Sequence, residues 1–189
     1  TMLPKLIPVS PHHFQHSIKD RGKLWLHGIS RHFPGVYDGK SFSIVSPAVE
    51  GITEGGIPFG SLSGLMRENI PSFMALTHAV PSAATSIHQY DAKMYTMLRF
   101  GLSADVTIIF SGNPSTVVNI AASADAWKES LIRDIRDGTL TTPSLLEPDL
   151  RKTLTAMLAK DPARAATLEK AVSMDGALLP KAYWPNLRL

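Results

Sequence analysis

The chain has 189 residues, of which 44% are hydrophobic and 19% charged, with a formal net charge of +3 and no cysteine. A chain of this length can bury a core of ordinary domain size, and its average apolar content argues against disorder as the dominant state. The absence of cysteine excludes disulfides, thiolate catalysis and cysteine-type zinc sites. No apolar run approaches the roughly 18 residues that a membrane helix needs, so we expect no membrane partner.

The 19 basic and 16 acidic residues are scattered along the chain. Nucleic-acid-binding domains usually carry a basic stripe interleaved with stacking aromatic residues, and because the sequence shows none we predict no nucleic acid partner. The first residues, TMLPKLIPVS, have no basic region followed by an apolar one. This pattern predicts no secretory signal and a cytoplasmic protein. Nothing in the sequence predicts the oligomeric state.

The first third of the chain predicts a strand, a long helix and a second strand. Residues 5–9 favour a short strand, and Ser10 followed by Pro11 indicates a helix start, because serine caps a helix and proline suits its first position. Apolar residues at spacings of four and seven continue this helix until Pro34. Residues 42–45 predict the next strand.

The middle of the chain begins with a glycine-dense stretch at residues 47–64, which predicts a functional loop without regular structure. Residues 90–102 predict a helix, and residues 106–110 a buried strand of β-branched residues. Asn113 with Pro114 predicts a capped start for one long helix, and Gly138 its left-handed end.

The last third predicts two helices, at residues 147–159 and 162–173, and then a loop that leads into the first residues of a strand. Strands and helices therefore alternate along most of the chain. This alternation predicts an α/β fold with a mainly parallel sheet flanked by helices.

Three short motifs match the sequence patterns of known functional sites only in part. Residues 39–41, Gly-Lys-Ser, resemble the end of a phosphate-binding loop, but they precede a strand instead of a helix and favour a turn. Residues 60–64 have Leu62 where a hydrolase elbow has serine. His12 and His16 have the spacing of helical metal ligands, but no third ligand is evident, so we favour solvated or capping histidines.

Several segments, taken together, carry a resemblance to a known family. In chain order they are PKLIPVSP, SPAVEGITEGGIPFGSLSGL, DAKMYTMLRFGL, FSGNPSTVV and DIRDGTL. In this order and spacing the chain resembles the auxin-responsive Gretchen Hagen family of acyl-acid amido synthetases, and is more similar to its bacterial members than to its plant members. The resemblance implies a firefly-luciferase-like fold, with this chain a fragment of the large N-terminal domain and the small C-terminal domain absent.

The resemblance also implies an activity. Such enzymes use ATP and Mg²⁺ to activate a small carboxylic acid as an acyl-adenylate, and the amine of an amino acid then forms an amide. Two alternatives stay open, an adenylate-forming ligase that transfers the acyl group to a thiol and a non-catalytic binding module of the same fold. The family's Tyr-Gly-x-(Thr/Ser)-Glu motif is missing, so we expect the 189 residues alone to be inactive.

Candidate site residues follow from the same resemblance. The opening TMLPK is similar to the end of the family's phosphate loop, which assigns Thr1 and Lys5 to the ATP phosphates, although a lone lysine before a strand is often a solvated end. The acyl-substrate pocket is implied to lie on the helix at residues 90–102 and at the strand end that carries Ser111 and Asn113. No catalytic residue and no metal ligand are assigned.

Four residues of that helix, Met94, Tyr95, Leu98 and Arg99, lie on adjacent turns, because steps of three and four share a face. Arg99 is able to pair with a substrate carboxylate in a bidentate fork, or to be a surface or capping charge, and both interpretations stay open. Leu98 favours a core position.

Ser111 and Asn113 follow a strand, where open α/β sheets bind ligands. Asn113 also suits a helix cap, and we favour that role.

Overall fold

The computed structural model describes residues 6–69 and 76–189. Within these ranges the elements are, in chain order, α1 (Pro11–His13), a π-helical segment (Phe14–Lys19), α2 (Asp20–His32), β1 (Lys40–Ser43), β2 (Gly51–Ile52), β3 (Pro58–Phe59), α3 (Leu62–Glu68), a 3-10 helix (Ser82–Ser86), α4 (Tyr90–Gly101), β4 (Val106–Phe110), α5 (Pro114–Ala126), α6 (Lys128–Asp137), α7 (Pro148–Ala156), α8 (Pro162–Asp175) and α9 (Pro180–Tyr183).

The centre of the fold is a layer of parallel backbone segments. Strand β1 pairs with β4 in parallel, with Phe42 opposite Ile109. On the other edge of β1, the Ser41 N–H donates to the carbonyl of Thr77 at 2.7 Å, and the Ser41 carbonyl accepts from Ala79 N–H at 2.8 Å. On the other edge of β4, the Ile109 N–H donates to the Leu189 carbonyl at 2.8 Å. The structure confirms the predicted α/β fold with a parallel sheet flanked by helices.

Helix α4 is the centre of the main hydrophobic core. It contacts α5, α6 and the 3-10 helix, and α6 in turn packs against α8. Leu98 of α4 is fully buried together with residues of the surrounding elements, among them Phe42, Leu131, Leu154 and Leu168. Because long apolar side chains meet here from both the sheet and the helices, α4 is held in a fixed orientation over the sheet.

Several local predictions are confirmed. Strand β4 has the predicted bounds. The side chain of Ser10 accepts a hydrogen bond from His13 N–H at the start of α1, and that of Asn113 caps α5 through Ser115 N–H. Gly138 ends α6 with φ of 72°, in the left-handed region that glycine occupies without steric cost. The turn predicted at the Gly-Lys-Ser motif is confirmed only at Gly39, which lies in a bend, because Lys40 and Ser41 already belong to β1.

Other local predictions were wrong. Residues 6–9 form no strand, since they are exposed and Pro8 has no N–H to donate. The strand predicted at residues 42–45 begins and ends two residues earlier. The long helix predicted from Asn113 is two helices, because the chain leaves helical geometry at Trp127, with φ of −107° and ψ of 15°.

The glycine-dense stretch is more regular than predicted. It contains the antiparallel pair β2–β3 and then α3, whose first N–H groups are capped by the Ser61 side chain through Gly64 N–H at 2.9 Å. Gly64 brings α3 against the preceding chain, because a Cβ there would lie 2.3 Å from the Ser46 carbonyl oxygen. The chain end, predicted to enter a strand, forms α9 and then hydrogen-bonds along β4 through residues 188–189.

Candidate functional site

A small cavity lies where β1 ends against the first turns of α4. Its volume is about 100 Å³, and the described residues that line it are Ile44, Val45, Ser46, Tyr90, Lys93, Met94 and Met97. The first three follow β1 directly, so the cavity opens at the carboxyl end of a parallel strand. Parallel α/β sheets usually bind their ligands at this edge.

One face of α4 supplies the helical side of the cavity. Tyr90, Lys93, Met94 and Met97 are separated by steps of three and four, which place them on a common face of a helix. No glycine or proline interrupts the helix before Gly101, so this face is regular. The two methionines are about 1% exposed and make the wall apolar.

Lys93 is the one charged residue among the described residues that line this cavity. Its Nζ donates a hydrogen bond to the Thr85 carbonyl at 3.1 Å, and no second acceptor is found among the described residues. Desolvation lowers the pKa of Lys93, and the negative charge of Glu50 partly opposes this shift. An ammonium has three protons to donate, so Lys93 retains hydrogen-bonding capacity beside the cavity.

A larger groove adjoins the cavity and shares Val45 and Ser46 with it. Its volume is about 820 Å³, and it runs between α3, the 3-10 helix and the backbone segment that pairs with β1. Lys40 and Arg67 contribute positive charge to the lining of this groove, and Glu68 and His78 line it as well.

The polar groups of the groove are held by the sheet. Nη1 of Arg67 donates to Ser43 Oγ at 3.3 Å, and Nη2 donates to the Val80 carbonyl. His78 Nδ1 lies 2.8 Å from Ser41 Oγ. Burial, and then the positive charge of Arg67, lower the pKa of His78 to about 4. The imidazole is therefore neutral near pH 7.

The structure divides the four helix residues that the sequence grouped together. Met94 lines the cavity, whereas Tyr95, Leu98 and Arg99 are buried in the core. The Arg99 guanidinium is 1% exposed. Its Nε donates to the Thr139 carbonyl at 3.1 Å, and its two Nη atoms donate to Ser103 Oγ at 2.7 Å and to the Ala159 carbonyl at 3.3 Å. These bonds favour the structural interpretation of Arg99.

Tyr95 belongs to a buried polar network around Asp134. The Tyr95 hydroxyl donates to Asp134 Oδ2 at 2.8 Å, the Thr139 hydroxyl donates to Oδ1 at 2.7 Å, and Thr141 N–H donates to Oδ2 at 2.6 Å. Asp134 itself is fully buried. The DIRDGTL segment thus has a structural role here, because its first aspartate fixes the chain that leaves α6.

Ser111 and Asn113 are exposed and form a local capping arrangement. Ser111 Oγ donates to the Asn113 carbonyl at 2.8 Å, and Asn113 Oδ1 accepts from Ser115 N–H at 3.1 Å. Neither belongs to the described residues that line the cavity. Thr1 and Lys5, the residues assigned to the ATP phosphates, lie outside the described residues.

Residues 6–69 and 76–189 contain neither a metal-binding cluster nor a membrane-spanning helix. No group of three or more histidine, aspartate or glutamate residues in these ranges is arranged to hold a metal ion. The rings of His12 and His16 are in tilted contact with centroids 4.6 Å apart, and His16 Nδ1 lies 3.4 Å from Asp20 Oδ2. No helix within the same ranges has both the length and the apolar character required to cross a membrane.

Lys93 was not among the residues that the sequence assigned to a site. The signal was present, because Tyr90, Lys93, Met94 and Met97 share a helical face in which lysine is the one charged residue. The sequence did not show that the chain after β1 covers this face. Only the fold brings Ile44, Val45 and Ser46 against it.

A family model and similar solved structures identify the family to which this chain is related. A family model described as "GH3 family N-terminal domain" matches residues 1–189. A solved structure described as "GH3.15 acyl acid amido synthetase" is similar with a TM-score of 0.78 and 20% identity, covering 97% of this chain and 33% of that one. Another, "AtGH3.15 acyl acid amido synthetase in complex with 2,4-DB", has a TM-score of 0.71 and 20% identity, covering 98% of this chain and 33% of that one.

The chain thus spans about a third of the length of these two solved proteins. No curated protein sequence matches it. The two structures, at 20% identity, confirm the fold, and the family model extends over all 189 residues. The chain therefore belongs to the GH3 family, whose N-terminal domain its sequence matches.

Proposed function

We propose that this chain is part of the large N-terminal domain of an ATP-dependent acyl-acid amido synthetase of bacterial type. The enzyme activates a small carboxylic acid as an acyl-adenylate and joins it to an amino acid in the cytoplasm. The observation that carries the proposal is the match of the whole chain to the GH3 family, and similar solved structures are described as acyl acid amido synthetases.

The cavity supports an organic acid as the ligand. Its methionine and β-branched walls suit an apolar body, and Lys93 adds one positive charge. Ligand sites commonly combine an apolar lining with a few polar groups that fix orientation. One of the similar proteins is described as a complex with 2,4-DB, which is an organic acid.

ATP and Mg²⁺ are the proposed cofactors. ATP would supply the adenylyl group, and Mg²⁺ would offset the charge of its phosphates. From the family resemblance, Thr1 and Lys5 are proposed to bind these phosphates. The described residues contribute the proposed binding site for the acid, at the cavity that Lys93 and the two methionines line.

Acid-dependent exchange of pyrophosphate into ATP tests this proposal. The full-length protein that contains this chain is assayed with a panel of carboxylic acids, and products are then identified with amino acids or coenzyme A as acceptors. We expect exchange that requires an acid, and an amide with at least one amino acid. Absence of acid-dependent exchange would refute adenylation and leave the binding module, whereas a thioester product would identify a thiol ligase.

The isolated 189 residues form a second arm of this experiment. We expect no exchange from them, since the sequence lacks the family's Tyr-Gly-x-(Thr/Ser)-Glu motif. Exchange by the isolated chain would contradict this expectation and assign the complete adenylation chemistry to these residues.

A further inference from the structure

The described residues contain several half-buried or buried cations, and most of them are fully engaged by the protein. Arg99 donates from all three of its nitrogens. Arg164 donates to the carbonyls of Leu102 and Tyr183, and Arg67 to Ser43 and Val80. Desolvation of a cation is costly, and these contacts offset it. Each of these arginines therefore has a sufficient structural explanation.

Lys93 is different because its contacts do not account for its position. It has one acceptor, the Thr85 carbonyl, and no carboxylate of the described residues lies within 4.0 Å of its Nζ. Glu50 acts on it only through longer-range attraction. The side chain nevertheless lines the same cavity as the buried Met94 and Met97. A desolvated ammonium with unused donors favours an anion as its partner.

We propose that Lys93 binds the carboxylate of the acid that occupies this cavity and so selects acids over neutral molecules of the same shape. The identity of that ligand as the enzyme's acid substrate rests on the proposed function. The binding itself requires only the cavity, the Lys93 ammonium and the apolar wall. Lys93 is thus a specificity-determining residue.

The size of the cavity limits what binds there. A volume of about 100 Å³ is below the roughly 300–1,000 Å³ typical of ligand sites. It admits a small acid, or the carboxylate end of a larger one whose remainder lies in the groove that begins at Val45 and Ser46. Short aryl and alkyl carboxylates are therefore the appropriate probes.

The test measures binding to the full-length protein that contains this chain, by calorimetry. The probes are benzoate, phenylacetate, 4-phenylbutyrate and hexanoate, each paired with its neutral carboxamide. We expect at least one carboxylate to bind about tenfold more tightly than its carboxamide, the size expected for one charged hydrogen bond. In Lys93→Met this ratio should fall to about one, and in Lys93→Arg most of it should remain.

The control variant is Lys170→Met, which removes an exposed lysine of α8 and should leave the ratio unchanged. The carboxylate-to-carboxamide ratio is informative because a merely structural role for Lys93 would weaken both ligands equally. Unfolding curves establish that each variant is folded. If no probe shows a carboxylate preference, or if Lys93→Met keeps the preference, the assignment is overturned.

This inference and the proposed function can fail separately. A carboxylate preference that depends on Lys93, without acid-dependent pyrophosphate exchange by the full-length protein, would leave an acid-binding site and refute the synthetase. Exchange by the full-length protein with an unchanged KM for the acid in Lys93→Met would support the synthetase and refute the role of Lys93.

Discussion

The two sides of helix α4 differ in how many hydrogen-bond acceptors the protein provides for a positively charged side chain. On the core side, Arg99 is 1% exposed and reaches two backbone carbonyls and a serine hydroxyl. On the cavity side, Lys93 is half-buried and reaches one carbonyl. Both cations are desolvated, yet only Arg99 is fully compensated by the protein. The difference is the reason why Lys93, whose ammonium has unused donors beside a cavity, is the proposed binding group and Arg99 is not.

The largest effect is expected at the core side, in the network around Asp134. Asp134→Ala should lower the free energy of unfolding by about 3–5 kcal/mol, because it leaves buried donors from Tyr95 and Thr141 without an acceptor. Urea unfolding measures this loss. Asp134→Asn, which retains an acceptor, should lose less. A loss below about 1 kcal/mol in Asp134→Ala would contradict the structural role of this network.

A matched pair of substitutions compares the two cations directly. Arg99→Met should lower the free energy of unfolding by about 2–4 kcal/mol, because the Thr139 and Ala159 carbonyls lose their donor inside the core. Lys93→Met should change it by less than about 1 kcal/mol, since one hydrogen bond is exchanged for apolar contact with the methionines. Urea unfolding measures both variants. Equal losses in the free energy of unfolding would show that the two cations contribute equally to stability.

A pH-dependent effect is expected at His78, which lines the groove. Its folded-state pKa of about 4 is below the ordinary value of 6.5, because of burial and the charge of Arg67. The unfolded chain therefore binds a proton more readily, so the stability from neutral His78 is present above pH 6.5 and is lost as the pH falls toward 4. The loss is at most about 3 kcal/mol, and partial solvent exposure reduces it.

Urea unfolding between pH 4 and pH 7 measures this dependence. The control is His78→Gln, which keeps a polar side chain near Ser41 and removes the titration. We expect the variant to have a flatter pH profile than the wild type over this interval. Identical slopes would place the titrating group elsewhere.

Much of the fold was predictable where the determining interactions are local. The Ser10 and Asn113 caps, the left-handed Gly138 and the bounds of β4 each depend on a few neighbouring residues, and the structure confirms them. The strand predicted at residues 5–9 was wrong over its described part, because a strand requires a partner from elsewhere in the chain. The break at Trp127 was also missed, since its side chain packs against Tyr95 from α4.

The candidate site was less predictable for the same reason. Helical periodicity grouped Met94 with Tyr95, Leu98 and Arg99, although the structure places only Met94 at the cavity. Periodicity defines which residues share a helical face, but a buried helix has several faces with different neighbours. Lys93 was overlooked because nothing in its local sequence shows that the chain after β1 meets it.

The sequence by itself determined the order of most elements, the caps that start and end several helices, and the resemblance to the GH3 family, which the family model bears out. The element order and the caps depend on local backbone preferences, and the resemblance depends on the order of short sequence segments. Only the tertiary structure decided which charges are structural. The carbonyls that engage Arg99 come from residues 40 and 60 positions away in the chain, whereas the loop that meets Lys93 leaves its ammonium partly unused.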